Sequence, residues 1–222
     1  MNWHEIVNDR FGKDSVAVTF CPLCGTGMAF EARLKGRKLT FGVSGLLYNS
    51  DVLLYDRETE SLWSQLDRLA VTGSFKGTRL QSIPLEHTTW RDWHKRHPDT
   101  QVLSRETGHF RDYDHTPYAG YETSDDIYFP VSFRSEGFHP KERVLGVEIA
   151  GRFKAYPFSE LAKQGGAVSD RIGDTAVRIR FDEANQNARV ETPEGQALAG
   201  VVAFWFAWYA FHPETEVFRA GQ

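Results

Sequence analysis

The sequence contains few cysteines: Cys21 and Cys24 are the two that occur in its 222 residues. Two cysteines cannot form the network of disulfides that holds small secreted domains together, so they form a site, a single bridge or nothing. There is also no second pair of cysteines, which a four-thiolate zinc site would need. The role of this isolated pair is therefore the main question that the sequence raises.

A basic excess and a long apolar run are also missing. Lysine and arginine total 26 against 30 acidic residues, and a net charge of −4 argues against a nucleic-acid partner. The longest apolar run, VVAFWFAWYAF at 201–211, is too short for a membrane span, which needs about 20 residues. The start, MNWHEIVNDR, lacks the pattern of a signal peptide. We therefore expect a cytoplasmic location for the chain as written, or an extracytoplasmic one if a signal segment is missing.

Core-forming residues are plentiful, with 41% hydrophobic residues and 14% aromatic residues. Within them, VNDRFGKDSVAVTF at 7–20 aligns without a gap with VSDRIGDTAVRIRF at 168–181, and six of 14 positions are identical. A second similarity relates LYDRETESLW at 54–63 to AFHPETEVF at 210–218. These internal similarities predict two tandem, related units.

The predicted units cover residues 1–66 and 143–222, with a connection at 67–142. Alternating patterns predict mainly antiparallel strands with short helices, which is an α+β fold. The first unit has a hairpin turning at Lys35-Gly36. It has no counterpart of the hairpin VLGVEIAGRFKAYPF of the second unit, which would lie upstream of Met1.

In the second unit, the hairpin is expected to turn at Ala150-Gly151. SELAKQGG then predicts a short helix capped by Ser159, and 201–211 is predicted to be a strand. In the connection, Thr89 and Asp92 form a capping box that predicts a helix ending before Pro98. Residues 104–142 show no period, and their four tyrosines indicate that this segment packs on the surface.

The two cysteines lie in FCPLCG at 20–25, directly after the predicted strand VAVTF. Pro22 fixes a turn and Gly25 permits a positive φ, so the turn can direct both sulfur atoms to one point. The local pattern resembles the metal-binding knuckle of zinc ribbons and rubredoxins. A shared metal ion, Cu(I) or Zn, is therefore the favoured interpretation.

Other interpretations of the pair stay open. A thioredoxin-like redox site needs a helix directly after the first cysteine, whereas Gly25-Thr26-Gly27 and a strand pattern follow here. Covalent haem attachment needs a histidine at the position of Gly25. The pair could also be two buried thiols without a chemical role.

Met28 and His212 are the predicted additional ligands. A thioether beside two thiolates favours Cu(I), whereas an imidazole beside them suits Zn or Cu. His212 precedes Pro213 at the end of the predicted aromatic strand. Packing of the two units face to face would bring it near the cysteines. A histidine in this context is also commonly a core residue, and the sequence leaves both alternatives open.

A second group of polar residues lies in FGVSGLLYNSDVLLYDRETESLWSQ at 41–65, and we treat it as another candidate pocket. Asn49-Ser50-Asp51 is typical of a turn, and Asp56-Arg57 of an ion pair. Gly45 after Ser44 interrupts an apolar strand, which can mark close approach of a ligand. GVSGL differs from the nucleophile elbow of hydrolases. The candidate residues are Ser44, Asp56, Arg57, Trp63 and Gln65.

Four stretches together resemble a prokaryotic family catalogued as domain of unknown function 3179: CPLCGTG, the segment at 41–65, PLEHTTWRDWHKRHPDT and AFWFAWYAFHPET. The resemblance covers nearly the whole chain. It implies that seven residues belong to family motifs: Cys21, Cys24, Ser44, Asp56, Trp63, Gln65 and His212. Members of the family often carry a signal or lipoprotein segment and a further hairpin before WHEIVND, neither of which is present here.

The sequence thus predicts a soluble metal-binding protein that holds Cu(I) or Zn through Cys21 and Cys24, in metal handling or as a structural site. A thiol-dependent or metal-assisted enzyme is an alternative that uses the same residues. A protein-binding module that uses the segment 104–142 is another. No protein partner is predicted by name.

Overall fold

The computed structural model describes residues 3–221. It consists mostly of antiparallel strands in several small sheets, together with three short α-helices in the described range. This architecture agrees with the predicted α+β class. No helix in this range is both long and apolar enough to cross a membrane.

The first part of the chain forms three sheets that order as β1-β2-β3-β9, β4-β5 and β6-β7-β8. The strands are β1 (Ile6–Phe11), β2 (Asp14–Cys21), β3 (Thr26–Glu31), β4 (Arg33–Leu34), β5 (Arg37–Lys38), β6 (Phe41–Tyr48), β7 (Asp51–Asp56), β8 (Leu62–Ser64) and β9 (Ser82–Ile83).

The second part forms two sheets, β15-β10-β11-β16 and β12-β13-β14. Its elements are α1 (Trp90–Arg96), β10 (Arg143–Ile149), β11 (Arg152–Pro157), α2 (Phe158–Gln164), β12 (Ala167–Ile172), β13 (Thr175–Asp182), β14 (Asn187–Glu191), β15 (Val201–Phe204), α3 (Trp205–Phe211) and β16 (Glu216–Val217).

Several local predictions are confirmed. The hairpins turn at Lys35-Gly36 and at Ala150-Gly151, and all four residues have a positive φ, as a tight two-residue turn requires. The side chain of Thr89 accepts a hydrogen bond from the amide of Asp92 at 3.2 Å and so caps α1.

The prediction of a strand over 201–211 is wrong for most of its length. The strand ends at Phe204, and α3 follows from Trp205. A run that is apolar throughout has no period, so it cannot distinguish a buried strand from a buried helix. His212 is consequently the C-cap of α3 and does not lie at a strand end. The expected cap of α2 is also displaced: the helix begins at Phe158, so Ser159 lies inside it.

The long connection packs on the rest of the protein, as its tyrosines indicate. Its regular structure within residues 104–142 is one 3₁₀ turn, Tyr121–Thr123, and the side chain of Tyr121 is buried. The ammonium of Lys141 lies 3.9 Å from the centre of the Tyr121 ring. It also donates a hydrogen bond to the carbonyl of Ser124 at 3.2 Å. The Tyr121 ring itself belongs to the main core, with its centre 6.5 Å from that of the Phe204 ring, and so attaches the segment there.

Strands β1-β2-β3 and β12-β13-β14 form two three-stranded meanders with the same register. Val7 pairs with Val18, and their aligned counterparts Val168 and Ile179 also pair. At the second turn of each meander, Cys21 pairs with Thr26 and Asp182 pairs with Asn187. Gly25 and its counterpart Gln186 both have a positive φ, of 61° and 50°.

Candidate metal centre

The two cysteines occupy the turn between β2 and β3, because β2 ends at Cys21 and β3 begins at Thr26. The carbonyl of Cys24 accepts hydrogen bonds from the hydroxyl of Thr26 at 3.1 Å and from the amide of Phe204 at 2.8 Å. The turn is therefore attached to β15 as well as to its own sheet.

A second turn, between β6 and β7, meets this one. Asn49 and Ser50 form it with φ of 51° and 64°, as the Asn-Ser-Asp sequence indicates. The thiol of Cys24 donates a hydrogen bond to the carbonyl of Ser50 at 3.2 Å. The carboxylate of Asp51 accepts a hydrogen bond from the amide of Leu66 through Oδ2 at 3.0 Å. Asp51 thus faces the cysteine pair from a different sheet.

Cys21, Cys24 and Asp51 form a compact group whose potential ligand atoms all lie within 4.8 Å of one another. Both cysteines are free thiols, and the three residues are between 0% and 1% exposed. Asp51 Oδ1 is buried without a hydrogen-bond partner. Buried polar atoms are rarely left unpaired, so a buried carboxylate oxygen beside two sulfur atoms is suited to bind a cation. The group could hold a metal ion.

Burial perturbs the ionisation of this group. Desolvation raises the pKa of Cys24 well above its ordinary value, and interactions with Cys21 and Asp51 raise it further. Desolvation also raises the pKa of Asp51 to about 7, although the hydrogen bond from the amide of Leu66 and the neighbouring thiol of Cys24 act in the opposite direction. Without a cation, the fold therefore disfavours collecting negative charges at this point.

Two other buried residues lie at the edge of the group. Gln65 donates hydrogen bonds through Nε2 to the hydroxyl of Thr19 at 2.8 Å and to the carbonyl of Thr26 at 3.2 Å, while its Oε1 has no partner. The hydroxyl of Tyr121 is also unpaired. Its pKa is raised, mainly by burial and then by the two cysteines, which places it in their electrostatic neighbourhood.

The structure brings Met28 and His212 to one small cavity. Both line a small cavity of about 60 Å³. Met28 lies on the same face of the sheet as Cys21, because Thr19 pairs with Met28 and Cys21 with Thr26. The His212 ring stacks on Phe153, with 4.1 Å between ring centres. The compact group of donors at the cysteines contains Asp51 and does not contain His212, while the assignment of Met28 as a ligand stays a prediction.

Burial, followed by the positive charges of Arg68 and Arg79, lowers the pKa of His212 to about 4. The imidazole is therefore neutral at pH 7. It has the surroundings of a core histidine, which is the alternative that the sequence leaves open. Its assignment as a metal ligand stays a prediction.

Among the other candidate pocket residues, Asp56 and Trp63 contact each other, whereas the rest make separate contacts. The hydroxyl of Ser44 donates to the carbonyl of Leu53 at 2.5 Å. The buried carboxylate of Asp56 accepts hydrogen bonds from Thr59 and, at 2.9 Å, from the indole of Trp63. The exposed Arg57 donates to a backbone carbonyl and forms no ion pair with Asp56 in the described structure, contrary to the expectation. Among these candidates, Gln65 contacts the strands that carry the cysteines.

Asp51 is a site residue that the sequence analysis misses. The sequence pattern assigns it to ordinary turn chemistry together with Asn49 and Ser50, and the turn is indeed there. The sequence nevertheless contains a signal that points to Asp51. Asp51 begins DVLLYD, a strand that is apolar between its two aspartates and has five buried residues. A carboxylate at a buried strand position needs a compensating partner.

The fold and the site together define an α+β protein with a buried group of two thiols and one carboxylate that could bind a metal ion. A family described as "Protein of unknown function (DUF3179)" matches residues 1–202. The chain belongs to this family, which is the one that the four sequence stretches resemble. No curated protein and no solved structure matches the chain.

Proposed function

We propose that this protein binds one metal ion through Cys21, Cys24 and Asp51. The observation that carries this proposal is the convergence of two free thiols and an unpaired carboxylate oxygen at almost zero exposure. A divalent cation would neutralise the charge that burial otherwise disfavours. It would also supply the missing partner of Asp51 Oδ1.

The donor set favours Zn over Cu(I). Zinc accepts thiolate sulfur and carboxylate oxygen in one tetrahedral site, whereas Cu(I) selects soft sulfur donors. Three protein ligands leave a fourth coordination position at the zinc ion. Gln65 lies beside the cysteine turn, and its unpaired Oε1 is the candidate for this position. Met28, whose thioether would favour Cu(I), lies on the same face of the sheet as Cys21 and lines the cavity that His212 also lines.

The burial of the ligands supports a structural ion over a reacting one. Catalytic zinc sites keep a position open to substrate, while structural sites are closed. Here Cys21, Cys24 and Asp51 are buried, and none of them lines the large cleft on the neighbouring surface. An ion at this point would join the β2–β3 turn to the β6–β7 turn.

Metal content and cobalt spectroscopy test the proposal. Protein purified under reducing conditions and loaded with zinc should contain about one ion per chain. The substitutions Cys21→Ser, Cys24→Ser and Asp51→Asn should remove or greatly weaken binding. Co(II) should give a thiolate charge-transfer absorption that is lost in both serine variants. His212→Ala and Met28→Leu serve as matched controls and should retain zinc.

Two results would overturn the proposal of a zinc site at Cys21, Cys24 and Asp51. One is the absence of bound zinc in folded wild-type protein, and the other is unchanged zinc content in both serine variants. Retention of copper alone, with loss on Met28→Leu, would instead support a Cu(I) site with Met28 as a ligand.

A thiol-dependent enzyme is less well supported. The thiolate is the reactive form of cysteine, and reactive cysteines have a depressed pKa and partial exposure. Burial here raises the pKa of Cys24 and leaves it 0% exposed.

The connection offers a second candidate function, binding of a protein partner. Six large apolar side chains are exposed in or just before the segment 104–142 of this connection, including a fully exposed Phe110. These are Val102, Leu103, Phe110, Tyr128, Phe129 and Phe133. Deleting 105–128 should abolish co-purification of a partner if the segment is a binding surface, and should leave it unchanged otherwise.

We also infer that the two meanders are copies of one unit. Their identical register and the matching positive φ at Gly25 and Gln186 support this inference. At the positions that correspond to the cysteines, the second meander has Asp182 and Asn185. Their side chains form a hydrogen bond at 2.7 Å, so this turn also directs both side chains to one point.

A further inference from the structure

A cleft of about 610 Å³ lies beside the cysteine turn, on the side away from the sulfur atoms. Its size falls within the usual range for small-molecule sites. Gly25 and Gly27 form part of one wall, and Asn185 and Gln186 from the corresponding turn of the second meander form part of another. The cleft therefore lies between the two meander turns.

Most polar groups of the cleft are already engaged. Glu86 accepts hydrogen bonds from Arg96 at 2.7 Å and from Asn187 at 3.0 Å. The hydroxyl of Thr88 donates to Asp92, and that of Thr89 donates to Asn185. These groups fix the shape of the cleft and are not available to a ligand without the loss of those bonds.

Arg143 differs from these engaged polar groups of the cleft. Its guanidinium lies 5.1 Å from the centre of the Phe158 ring and has no hydrogen-bond or ion-pair partner within residues 3–221. Burial lowers its pKa, and the nearby Glu122 opposes this effect without pairing with it. A largely buried cation without an anion is unfavourable, and a guanidinium binds carboxylates through two parallel hydrogen bonds.

The acidic side chain of Glu122 also lines the cleft, whereas the remaining walls are apolar or neutral. Val18, Phe20, Leu85 and Phe204 supply apolar surface. Burial lowers the pKa of His87 to about 4, so its ring adds no positive charge near pH 7. The cleft thus combines the unpaired guanidinium of Arg143, opposed by the exposed Glu122, with apolar surface. This combination suits a molecule with one negative group for Arg143 and an apolar body.

We propose that this cleft binds a small organic carboxylate, with Arg143 holding the carboxylate and the apolar wall holding the body of the molecule. The site does not depend on the metal, because neither cysteine lines the cleft. It can therefore exist whether or not the metal proposal is correct, and the two proposals can fail separately.

Benzoate is a suitable probe, and benzamide is its neutral control of similar shape. Addition of benzoate to ¹⁵N-labelled wild-type protein should shift the amide signals of Gly25, Gly27 and residues 85–89. Benzamide should bind about tenfold more weakly or worse, because it cannot form the charge-assisted pair. Equal binding of the two compounds, or shifts located elsewhere, would overturn the proposal.

Variants give an independent test by calorimetry. Arg143→Gln should weaken benzoate binding by about tenfold or more, and Arg143→Lys should give a smaller loss because the charge remains. Glu122→Gln removes a competing negative charge at an exposed position and should strengthen binding. Arg134→Gln, at an exposed arginine outside the cleft, should leave binding unchanged.

The Glu122 variant and the wild-type comparison keep the test valid if the Arg143 variants do not fold. Unchanged affinity in folded Arg143→Gln would overturn the proposal, as would weaker binding in Glu122→Gln. All measurements should be made with metal-free and zinc-loaded protein, since the proposal expects benzoate binding in both.

Discussion

Gly25 is the position in the cysteine turn where a single methyl group should have the largest effect. It has a φ of +61°, and a Cβ placed on it would lie 2.8–2.9 Å from three atoms of the Phe204 ring. Phe204 is buried, has Phe206 and Tyr121 as aromatic neighbours and faces the cleft on another side. Gly25→Ala should therefore introduce both backbone strain and steric overlap.

Gly12→Ala is a matched control for this variant. Gly12 has the same φ of +61°, but a Cβ placed on it would have no neighbouring atom within 4 Å. The positive φ should cost about 1–2 kcal/mol of unfolding free energy in both variants. Overpacking should add about 1–3 kcal/mol in Gly25→Ala alone. The expected totals are about 2–5 kcal/mol for Gly25→Ala and about 1–2 kcal/mol for Gly12→Ala.

Urea unfolding of metal-free, reduced protein, followed by circular dichroism, measures both values. The double variant Gly25→Ala/Phe204→Leu should recover part of the loss, because the smaller side chain removes the overlap. Zinc binding should weaken in Gly25→Ala and remain intact in Gly12→Ala. Equal destabilisation by the two alanines, together with no recovery in the double variant, would refute the steric argument.

Three further predictions concern other parts of the molecule. First, the folded-state pKa of His87 is about 4, below its unfolded value of 6.5, so the unfolded state takes up the proton first as pH falls. The contribution of His87 to stability is therefore full above pH 6.5 and should be lost as pH drops to 4. Urea unfolding at each pH should show a loss of unfolding free energy up to about 3 kcal/mol larger in wild type than in His87→Gln. A parallel decline in the two proteins would count against this. Second, Asp56→Ala should cost about 2–4 kcal/mol of unfolding free energy, because it leaves the Trp63 indole and Thr59 without their acceptor, while the zinc content stays the same. Third, Tyr121→Phe should leave stability unchanged or raise it by up to about 1 kcal/mol, since the buried hydroxyl has no partner; a marked loss would show that the hydroxyl is bound in solution.

The sequence predicts much of the local structure correctly. The turn at Lys35-Gly36 and the capped helix after Thr89 follow from short-range backbone preferences, which act in the same way in any fold. The cysteine turn is of the same kind, because Pro22 and Gly25 restrict the chain locally. Predictions of this type need no knowledge of the neighbouring sheets.

The failures concern features that depend on distant parts of the chain. The aromatic run after Phe204 becomes a helix buried in the core, and its apolar sequence has no period that would reveal this. Asp51 reaches the cysteines because two turns from different sheets meet, which a one-dimensional pattern does not show. Ligand chemistry alone favours His212; the structure stacks its ring on Phe153, and its assignment as a ligand stays a prediction.

The meeting of the β2–β3 and β6–β7 turns has a kinetic consequence. An ion held by donors from both hairpins would be enclosed on every side by packed backbone, so a chelator in solution could reach it only after the hairpins separate. Its exchange rate would then report how often this region opens, much as amide hydrogen exchange does. If exchange is slow, the ion would be a permanent cross-link between two sheets. Such an ion would not be suited to delivery to another protein.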